Sequence, residues 1–159
     1  MRIAFDLDDT LIPSFSGLFA VEPPEGFFRR WLAGEWLRAG ATALLRTLAG
    51  HGCEVCVYTT SLRRPGTIRR LFRCYGVGLR EVVNGERHYR WMERQRGRYP
   101  CSKYPPAFGI DLLVDDSEGV QMEAKQFGFQ MVLVRPEDDD WADKILLAVD
   151  PVLSRRRLC

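Results

Sequence analysis

Three short apolar segments of this 159-residue chain are each followed directly by carboxylate or hydroxyl side chains. The run Asp6 to Thr10 (DLDDT) follows the first, Thr59-Thr60-Ser61 the second, and Asp115-Asp116 a later one. Because the carboxyl ends of parallel strands meet at one edge of a sheet, these side chains share one crevice if the strands are neighbours. Clustered carboxylates repel one another and require a cation, and ligands made only of oxygen favour a hard ion such as Mg²⁺.

Such a cluster is suited to phosphoryl transfer. An aspartate held beside the cation can attack phosphorus and form an aspartyl-phosphate. A second aspartate two residues further on, as Asp8 is from Asp6, can give a proton to the leaving oxygen and later take one from water. A lysine would offset charge on the transferred group. Lys103 is the one lysine that precedes Asp115-Asp116.

The elements between these segments predict an α/β fold. Apolar, β-branched runs predict strands over 2–7, 53–59, 79–83, 110–114 and 130–134. Helical spacing of apolar residues predicts helices over 26–37, 41–48, 66–75, 117–127 and 141–149, whereas 12–26 reads as a loop and 88–106 as an irregular basic segment. Strands that alternate with helices indicate right-handed crossovers and a mostly parallel sheet, hence a three-layer α/β/α, Rossmann-like domain.

Composition indicates one globular domain over residues 1–159. Hydrophobic residues make up 46% and charged residues 28% of the chain, which excludes a disordered or fibrous protein. No apolar run approaches 18 residues, so we expect no membrane span. Since no signal peptide is recognisable, we expect a cytoplasmic protein whose five cysteines are reduced.

The net charge of +2 conceals a strong asymmetry. From Arg63 to Arg98 there are eleven arginines and three glutamates, and from Tyr104 to Ser154 eleven acidic and three basic residues. This separation indicates one face suited to an anion and another suited to a metal. The alternative interpretation is ordinary solvated surface charge.

The motifs together resemble the haloacid dehalogenase (HAD) superfamily. Asp6-Leu7-Asp8-Asp9-Thr10-Leu11 is similar to its first motif, Val57-Tyr58-Thr59 to its second, Lys103 to its third and Leu113-Val114-Asp115-Asp116 to its fourth. The order is that of the family, and the resemblance spans residues 1 to about 135. It implies a HAD-like fold and a hydrolase of the phosphatase type.

The resemblance implies a role for each matched residue. Asp6 would be the nucleophile and Asp8 the general acid/base. An acid at the position of Asp8 is typical of the phosphatases, because dehalogenases lack it and ATPase pumps carry Thr there. Asp9 falls at a variable position, where we expect a role in a turn. Thr59, with Thr60 as its alternative, and Lys103 would bind the phosphate. Mg²⁺ would be bound by Asp6, the main-chain carbonyl of Asp8, Asp115 and Asp116. Asp116 would bind it directly or through water.

No insertion is long enough for a sizeable cap domain. Residues 12–37 form a loop-and-helix insert, 84–102 a basic insert and 151–159 a basic tail, which we expect to be solvated. The chain is therefore similar to capless members of the family, whose open sites often serve macromolecules or borrow a lid from another subunit. Six aromatic residues between Phe15 and Trp36 form either a small flap or a cover for the sheet, and for Trp31 we expect the cover.

Weaker signals predict structural roles. Cys53 and Cys56 lie three apart in a strand and face opposite sides, which argues against a shared metal. His51 and His88 have no partner pattern and are expected at the surface.

Two other functions compete with a Mg²⁺-dependent phosphomonoester hydrolase. One is a catalytically silent binding or regulatory module with the same fold. The other is a phosphorylated receiver domain, which we discount because 53–59 contains no Asp to accept the phosphoryl group. The basic charge suits a polyanionic substrate, and a small phosphorylated molecule, a nucleic-acid end and a phosphopeptide all remain open.

Overall fold

A computed structural model describes residues 1–96 and 98–156, with side chains through residue 150 apart from position 97. In chain order the elements are β1 (Arg2–Phe5), β2 (Val21–Glu22), α1 (Phe27–Ala33), β3 (Leu37–Arg38), α2 (Ala41–Gly50), β4 (Glu54–Tyr58), α3 (Pro65–Cys74), β5 (Glu81–Val83), α4 (Gly85–Arg94), β6 (Leu112–Asp115), α5 (Glu118–Phe127), β7 (Met131–Leu133) and α6 (Trp141–Arg156). A 3₁₀ turn covers Pro105–Phe108.

Five of the strands form a parallel sheet in the order β5-β4-β1-β6-β7. The strand β1 is central: Phe5 lies opposite Val57 of β4 on one side and Val114 of β6 on the other. The three apolar segments that precede the carboxylate and hydroxyl runs are therefore adjacent strands, so their carboxyl ends meet. The predicted α/β class with a mostly parallel sheet is confirmed.

Alternation along the strands divides the core into two layers, one on each face of the sheet. Ile3 and Phe5 pack in one cluster with apolar residues of α2, α3 and α6, whereas Ala4 packs in the other with residues of α5. Cys53 and Cys56 likewise belong to opposite clusters, as predicted from their spacing. Helices on both faces make the domain three-layered.

The segment predicted to be irregular, 88–106, is partly helical, and that prediction is wrong. The helix α4 begins after Asn84, whose side chain accepts a hydrogen bond from the backbone N–H of Arg87. Glu86 and Arg90, one turn apart, form an ion pair on its exposed side. Few of its residues are apolar, so capping and charge pairing rather than a hydrophobic stripe identify this helix.

The insert between β1 and α2 contains the antiparallel pair β2–β3 with α1 between them. Its aromatic side chains do not cover the sheet. Trp31 is 74% exposed, so the prediction that it packs on the sheet is wrong. We call residues 12–37 the flap insert from here on.

The basic tail, 151–159, predicted to be solvated, falls outside the side chains that the structure describes. Among the described residues, no helix has both the length and the apolar character needed to cross a bilayer.

Candidate functional site

Three charged side chains meet at the carboxyl edge of the sheet. Asp6 directly follows β1, and its backbone N–H donates to Val114 O at 2.9 Å. Asp115 is the last residue of β6. The ammonium Nζ of Lys103 lies 2.8 Å from Asp6 Oδ1 and 2.6 Å from Asp115 Oδ2. All three side chains are buried, so the ion pairs act with little screening by water.

Burial and charge shift the protonation of this cluster. Burial, opposed by Lys103 and reinforced by Asp115, raises the pKa of Asp6 to about 7. For Lys103, burial lowers the pKa, but the two carboxylates outweigh it and the net shift is upward. The lysine therefore stays charged, whereas Asp6 is a carboxylate held at a free-energy cost.

A third carboxylate completes a site with the chemistry of a hard cation. One carboxylate oxygen from each of Asp6, Asp115 and Asp116 lies within 4.8 Å of the others. Asp6 Oδ1 is buried and accepts no hydrogen bond from the described residues, because the nearby lysine is poorly aligned for one. The Thr10 hydroxyl donates to Asp116 Oδ1 at 2.8 Å and orients it. An acidic, all-oxygen donor set, with one buried oxygen that lacks a well-aligned hydrogen-bond donor, fits Mg²⁺.

The side chain of Asp8 lies outside that trio and is held by an arginine. Arg63 Nη1 donates to both carboxylate oxygens of Asp8, at 2.7 and 2.9 Å, and to Ser61 Oγ at 3.1 Å. Its other terminal nitrogen, Nη2, donates to Glu35 Oε1 of the flap insert at 2.8 Å. Arg63 thus joins the loop after β4, the run after β1 and the flap insert.

The hydroxyl residues after β4 differ in environment. Thr59 is buried, its N–H donates to Val83 O at 2.9 Å, and its Oγ1 accepts from the N–H of Ser61 at 3.1 Å. Thr60 is exposed, and a Cβ added to Gly85 would lie only 2.3 Å from its carbonyl oxygen. Glycine at position 85 therefore lets α4 begin against this turn.

A buried network fixes the loop that carries Lys103. The Tyr58 hydroxyl accepts from the Tyr104 N–H at 2.9 Å. It donates to His88 Nδ1, 2.6 Å away, because the proton of the neutral imidazole is on Nε2, which faces a carbonyl. His88 Nε2 in turn donates to Cys101 O at 3.1 Å. His88 is only 3% exposed, so its expected place at the surface is wrong, and burial lowers its pKa. Since Lys103 stands between Cys101 and Tyr104, this neutral imidazole helps set the position of the ammonium.

Stacked aromatic rings support the same loop. The ring of Trp91 on α4 stacks on those of Tyr99 and Tyr104, with centroids 5.8 and 5.4 Å apart. The two tyrosine rings are themselves 4.6 Å apart. The basic insert therefore contributes a rigid support for the site as well as charge.

Asp9 has the turn role expected of it. Its φ of 60° is in the left-handed region, and its Oδ1 accepts from the Ser14 N–H at 2.8 Å. Aspartate and asparagine tolerate this conformation because their short side chains bond locally.

Sequence reasoning missed three polar residues at the site: Arg63, Glu35 and His88. Arg63 was counted only as part of the basic run. Its position two residues after Thr59-Thr60-Ser61 is the signal that could have indicated it. For Glu35 and His88 no local pattern points to a partner, because their contacts depend on the folded chain.

The chain is similar to known proteins in its three-dimensional structure. No protein-family model matches the chain, and no curated protein matches it. A crystal structure of a HAD-superfamily hydrolase, subfamily IA, variant 1, from Geobacter sulfurreducens PCA matches with a TM-score of 0.50 and 17% identity, over 83% of this chain and 88% of that one.

Two further solved structures of HAD-family hydrolases match the chain with lower TM-scores. A HAD family hydrolase from Deinococcus radiodurans R1, with bound phosphate and sodium, has a TM-score of 0.46 and 16% identity over 90% of this chain and 86% of that one. A predicted HAD-like family hydrolase from Porphyromonas gingivalis has a TM-score of 0.47 and 13% identity over 96% and 97%. The chain has a HAD-like fold, as the motifs implied.

Proposed function

We propose that the protein is a Mg²⁺-dependent phosphomonoester hydrolase that acts in the cytoplasm through an aspartyl-phosphate on Asp6. The observation that carries the proposal is the buried cluster in which Lys103 lies within 2.8 Å of Asp6 and 2.6 Å of Asp115, beside Asp116. A buried carboxylate at the end of a central strand, with a lysine and a cation-binding trio around it, has the parts of a phosphoryl-transfer site.

Asp6, Asp115 and Asp116, together with the main-chain carbonyl of Asp8, would hold the Mg²⁺. The ion, when bound, offsets negative charge on the phosphoryl oxygens and on the carboxylates. Lys103, already charged, would neutralise a further phosphoryl oxygen. Thr59 stands at the same strand ends, and its hydroxyl or the exposed turn at Thr60 would donate to another.

In the first step an Asp6 carboxylate oxygen attacks phosphorus, and the bond from phosphorus to the ester oxygen breaks. Asp8 gives its proton to the departing oxygen, which leaves as an alcohol. In the second step water attacks the phosphorus of the aspartyl-phosphate and loses a proton to Asp8, while the bond from phosphorus to the Asp6 oxygen breaks. Inorganic phosphate leaves and both aspartates return to their starting states.

The contact between Asp8 and Arg63 adds a requirement. Both oxygens of Asp8 accept hydrogen bonds from Arg63, so the side chain is turned toward the guanidinium and must be released before it can reach a leaving group. We therefore propose that substrate binding draws Arg63 away from Asp8. A phosphorylated substrate is itself an anion that an arginine binds well.

Two aspartate substitutions test this function. Asp6→Asn removes the nucleophile, so hydrolysis of every substrate should fail. Asp8→Asn keeps the nucleophile but not the proton donor, and p-nitrophenolate leaves without a proton. We expect Asp8→Asn to lose about 10²-fold more rate on alkyl than on aryl phosphates and to accumulate a hydroxylamine-sensitive phosphoenzyme.

Asp9→Asn is the matched control, since it makes the same chemical change at the next residue and asparagine tolerates the left-handed backbone found there. It should keep both activities. Wild-type protein that hydrolyses no aryl phosphate with Mg²⁺, or that is fully active in excess EDTA, would refute the proposal. The first result would favour a silent binding module with this fold.

A further inference from the structure

The helix α1 lies almost entirely outside the hydrophobic core. Of its seven residues only Ala33 is buried. Phe27 is 88% exposed, Phe28 68% and Trp31 74%, and the ring centroids of Phe28 and Trp31 lie 6.2 Å apart. Contiguous apolar patches are uncommon on monomeric proteins and mark binding sites, because exposing them to water is unfavourable. Folding of the domain does not account for these rings.

The exposed aromatic residues continue beyond α1 on both sides. Phe15 in the loop after β1 and Trp36 after α1 are also exposed. Trp36 lines an open cavity of about 360 Å³ together with Ile12 and Pro13. We call the five exposed rings the flap surface; they are Phe15, Phe27, Phe28, Trp31 and Trp36.

Exposed arginines border the flap surface. Arg29 and Arg30 stand between Phe28 and Trp31 in the sequence of α1. The helix packs on α3, a segment that brings exposed arginines of its own. These are Arg64, Arg70 and Arg73. The region therefore combines aromatic rings with a positive charge.

The flap surface adjoins the candidate site. Glu35 lies between α1 and Trp36 and accepts a hydrogen bond from Arg63, which also holds Asp8. A ligand spread over the rings of α1 would thus have one end at the residues proposed to handle the leaving group.

We propose that the flap surface binds single-stranded nucleic acid and presents its terminal phosphate to Asp6. The proposal rests on the phosphatase function above and names its substrate class. Proteins that bind single strands without sequence preference stack bases on aromatic rings and contact phosphates with arginine. The flap surface supplies the rings, and the neighbouring exposed arginines supply the charge. Stacking needs exposed rings, which explains why α1 leaves them outside the core.

The charge of this surface argues against a second copy of the chain as the occupant. A two-fold contact through α1 would place the arginines of both copies against one another. At about 100° per residue, Phe27, Phe28 and Trp31 lie on one side of α1 and Arg29 and Arg30 flank that side, a division that helices lying on membranes also show. A membrane and a second copy are therefore outcomes that the test distinguishes.

The test measures binding separately from catalysis. Full-length protein in EDTA, which prevents turnover, is titrated into a fluorescein-labelled single strand of about 12 nucleotides with a phosphate at one end, and fluorescence anisotropy is followed. We expect a Kd between about 1 and 100 μM at physiological salt. Trp31→Ala should weaken binding by about 5- to 150-fold, the effect of losing one stacked base.

Two further variants separate stacking from charge. Arg29→Gln with Arg30→Gln should lower the slope of log K against log salt by about 1.4, since each phosphate contact contributes about 0.7. Leu147→Ala on α6 is the matched control, because Leu147 is as exposed as Trp31 but lies outside the flap surface. It should bind like the wild type. Thermal melting of each variant shows that it is folded.

Each outcome decides the proposal. Absence of binding up to 100 μM, or equal loss in Trp31→Ala and Leu147→Ala, overturns it. Two other results would also overturn it. In one, the wild type binds vesicles of phosphatidylcholine and phosphatidylglycerol, and Trp31→Ala abolishes that binding but leaves strand binding unchanged. In the other, Trp31→Ala abolishes self-association in sedimentation and again leaves strand binding unchanged. Hydrolysis of p-nitrophenyl phosphate in Mg²⁺ reports on the proposed function separately. Strand binding without hydrolysis would therefore refute the phosphatase and leave the flap surface as a nucleic-acid site.

Discussion

The substitution Asp6→Asn should stabilise the protein in the absence of metal, increasingly so as pH rises from 4 to 7. Burial raises the pKa of Asp6 from 3.8 to about 7 in the folded chain. The folded state therefore holds a proton over a pH range in which the unfolded state has lost it. The contribution of the Asp6 carboxyl to the free energy of unfolding is fully present below pH 4 and is lost as pH rises toward 7.

The magnitude follows from the size of that shift. One pKa unit corresponds to 1.36 kcal/mol, so a shift of about 3 units costs the wild type about 4 kcal/mol above pH 7. Asparagine carries no charge to be buried, and Lys103 keeps Asp115 as its partner. The difference in unfolding free energy between Asp6→Asn and wild type should therefore grow by about 2 kcal/mol between pH 5 and pH 7, then level off.

Urea titrations in EDTA at pH 5, 6, 7 and 8 measure this difference. Asp150→Asn, which changes an exposed carboxylate on α6, controls for the loss of one charge. Added Mg²⁺ should stabilise the wild type more than Asp6→Asn, because the variant lacks one carboxylate of the trio. A difference that is independent of pH, or a variant that loses stability as pH rises, would show that burial of Asp6 does not have this cost.

Three further changes test the structure around the site. Tyr58→Phe should cost about 1–3 kcal/mol in urea unfolding, since it leaves a buried backbone N–H and an imidazole nitrogen without their partner. Gly85→Ala should lower the free energy of unfolding by about 1–3 kcal/mol, because its Cβ would lie 2.3 Å from a carbonyl oxygen. Gly66→Ala on α3, whose Cβ would have no atom within 4 Å, should be neutral or stabilising. Equal effects of the two substitutions would refute the clash. A double-mutant cycle with Arg63→Met and Glu35→Gln should give a coupling of about 0.2–1 kcal/mol, as expected for a half-exposed ion pair, and zero coupling would separate the flap insert from Arg63.

Residues whose role depends on their own strand were predictable from the sequence. The first motif, the apolar run before Asp115 and the run before Thr59 each mark a strand and the polar residue at its end. Parallel pairing then brings these ends together, which is why Asp6 and Asp115 meet as expected, whereas Lys103 reaches them from a loop. The α/β class and the HAD-like fold follow from the same alternation of strands and helices.

Contacts between distant segments were not predictable in this way. The bond between Arg63 and Asp8 joins residues 55 apart, and nothing in either segment specifies it. His88 was expected at the surface because an isolated histidine carries no periodic signal, yet Tyr58 and Cys101 make its burial favourable. Trp31 was expected to be buried because large aromatic residues usually are; if it binds a partner, hydrophobicity alone is the wrong guide.

The central place of β1 also sets an order of assembly during synthesis. Within residues 1–159, Asp6 follows the strand that is synthesised first, but the neighbours of that strand lie at 54–58 and 112–115. Asp6 and Asp115 are 109 residues apart, which at 5–20 residues per second is a delay of roughly 5–20 s. Throughout that time the backbone N–H and C=O groups on one edge of β1 have no β6 beside them and are open to chaperones or to aggregation. A nascent chain halted before β6 would carry Asp6 without Asp115 and Asp116, the other two carboxylates of the trio.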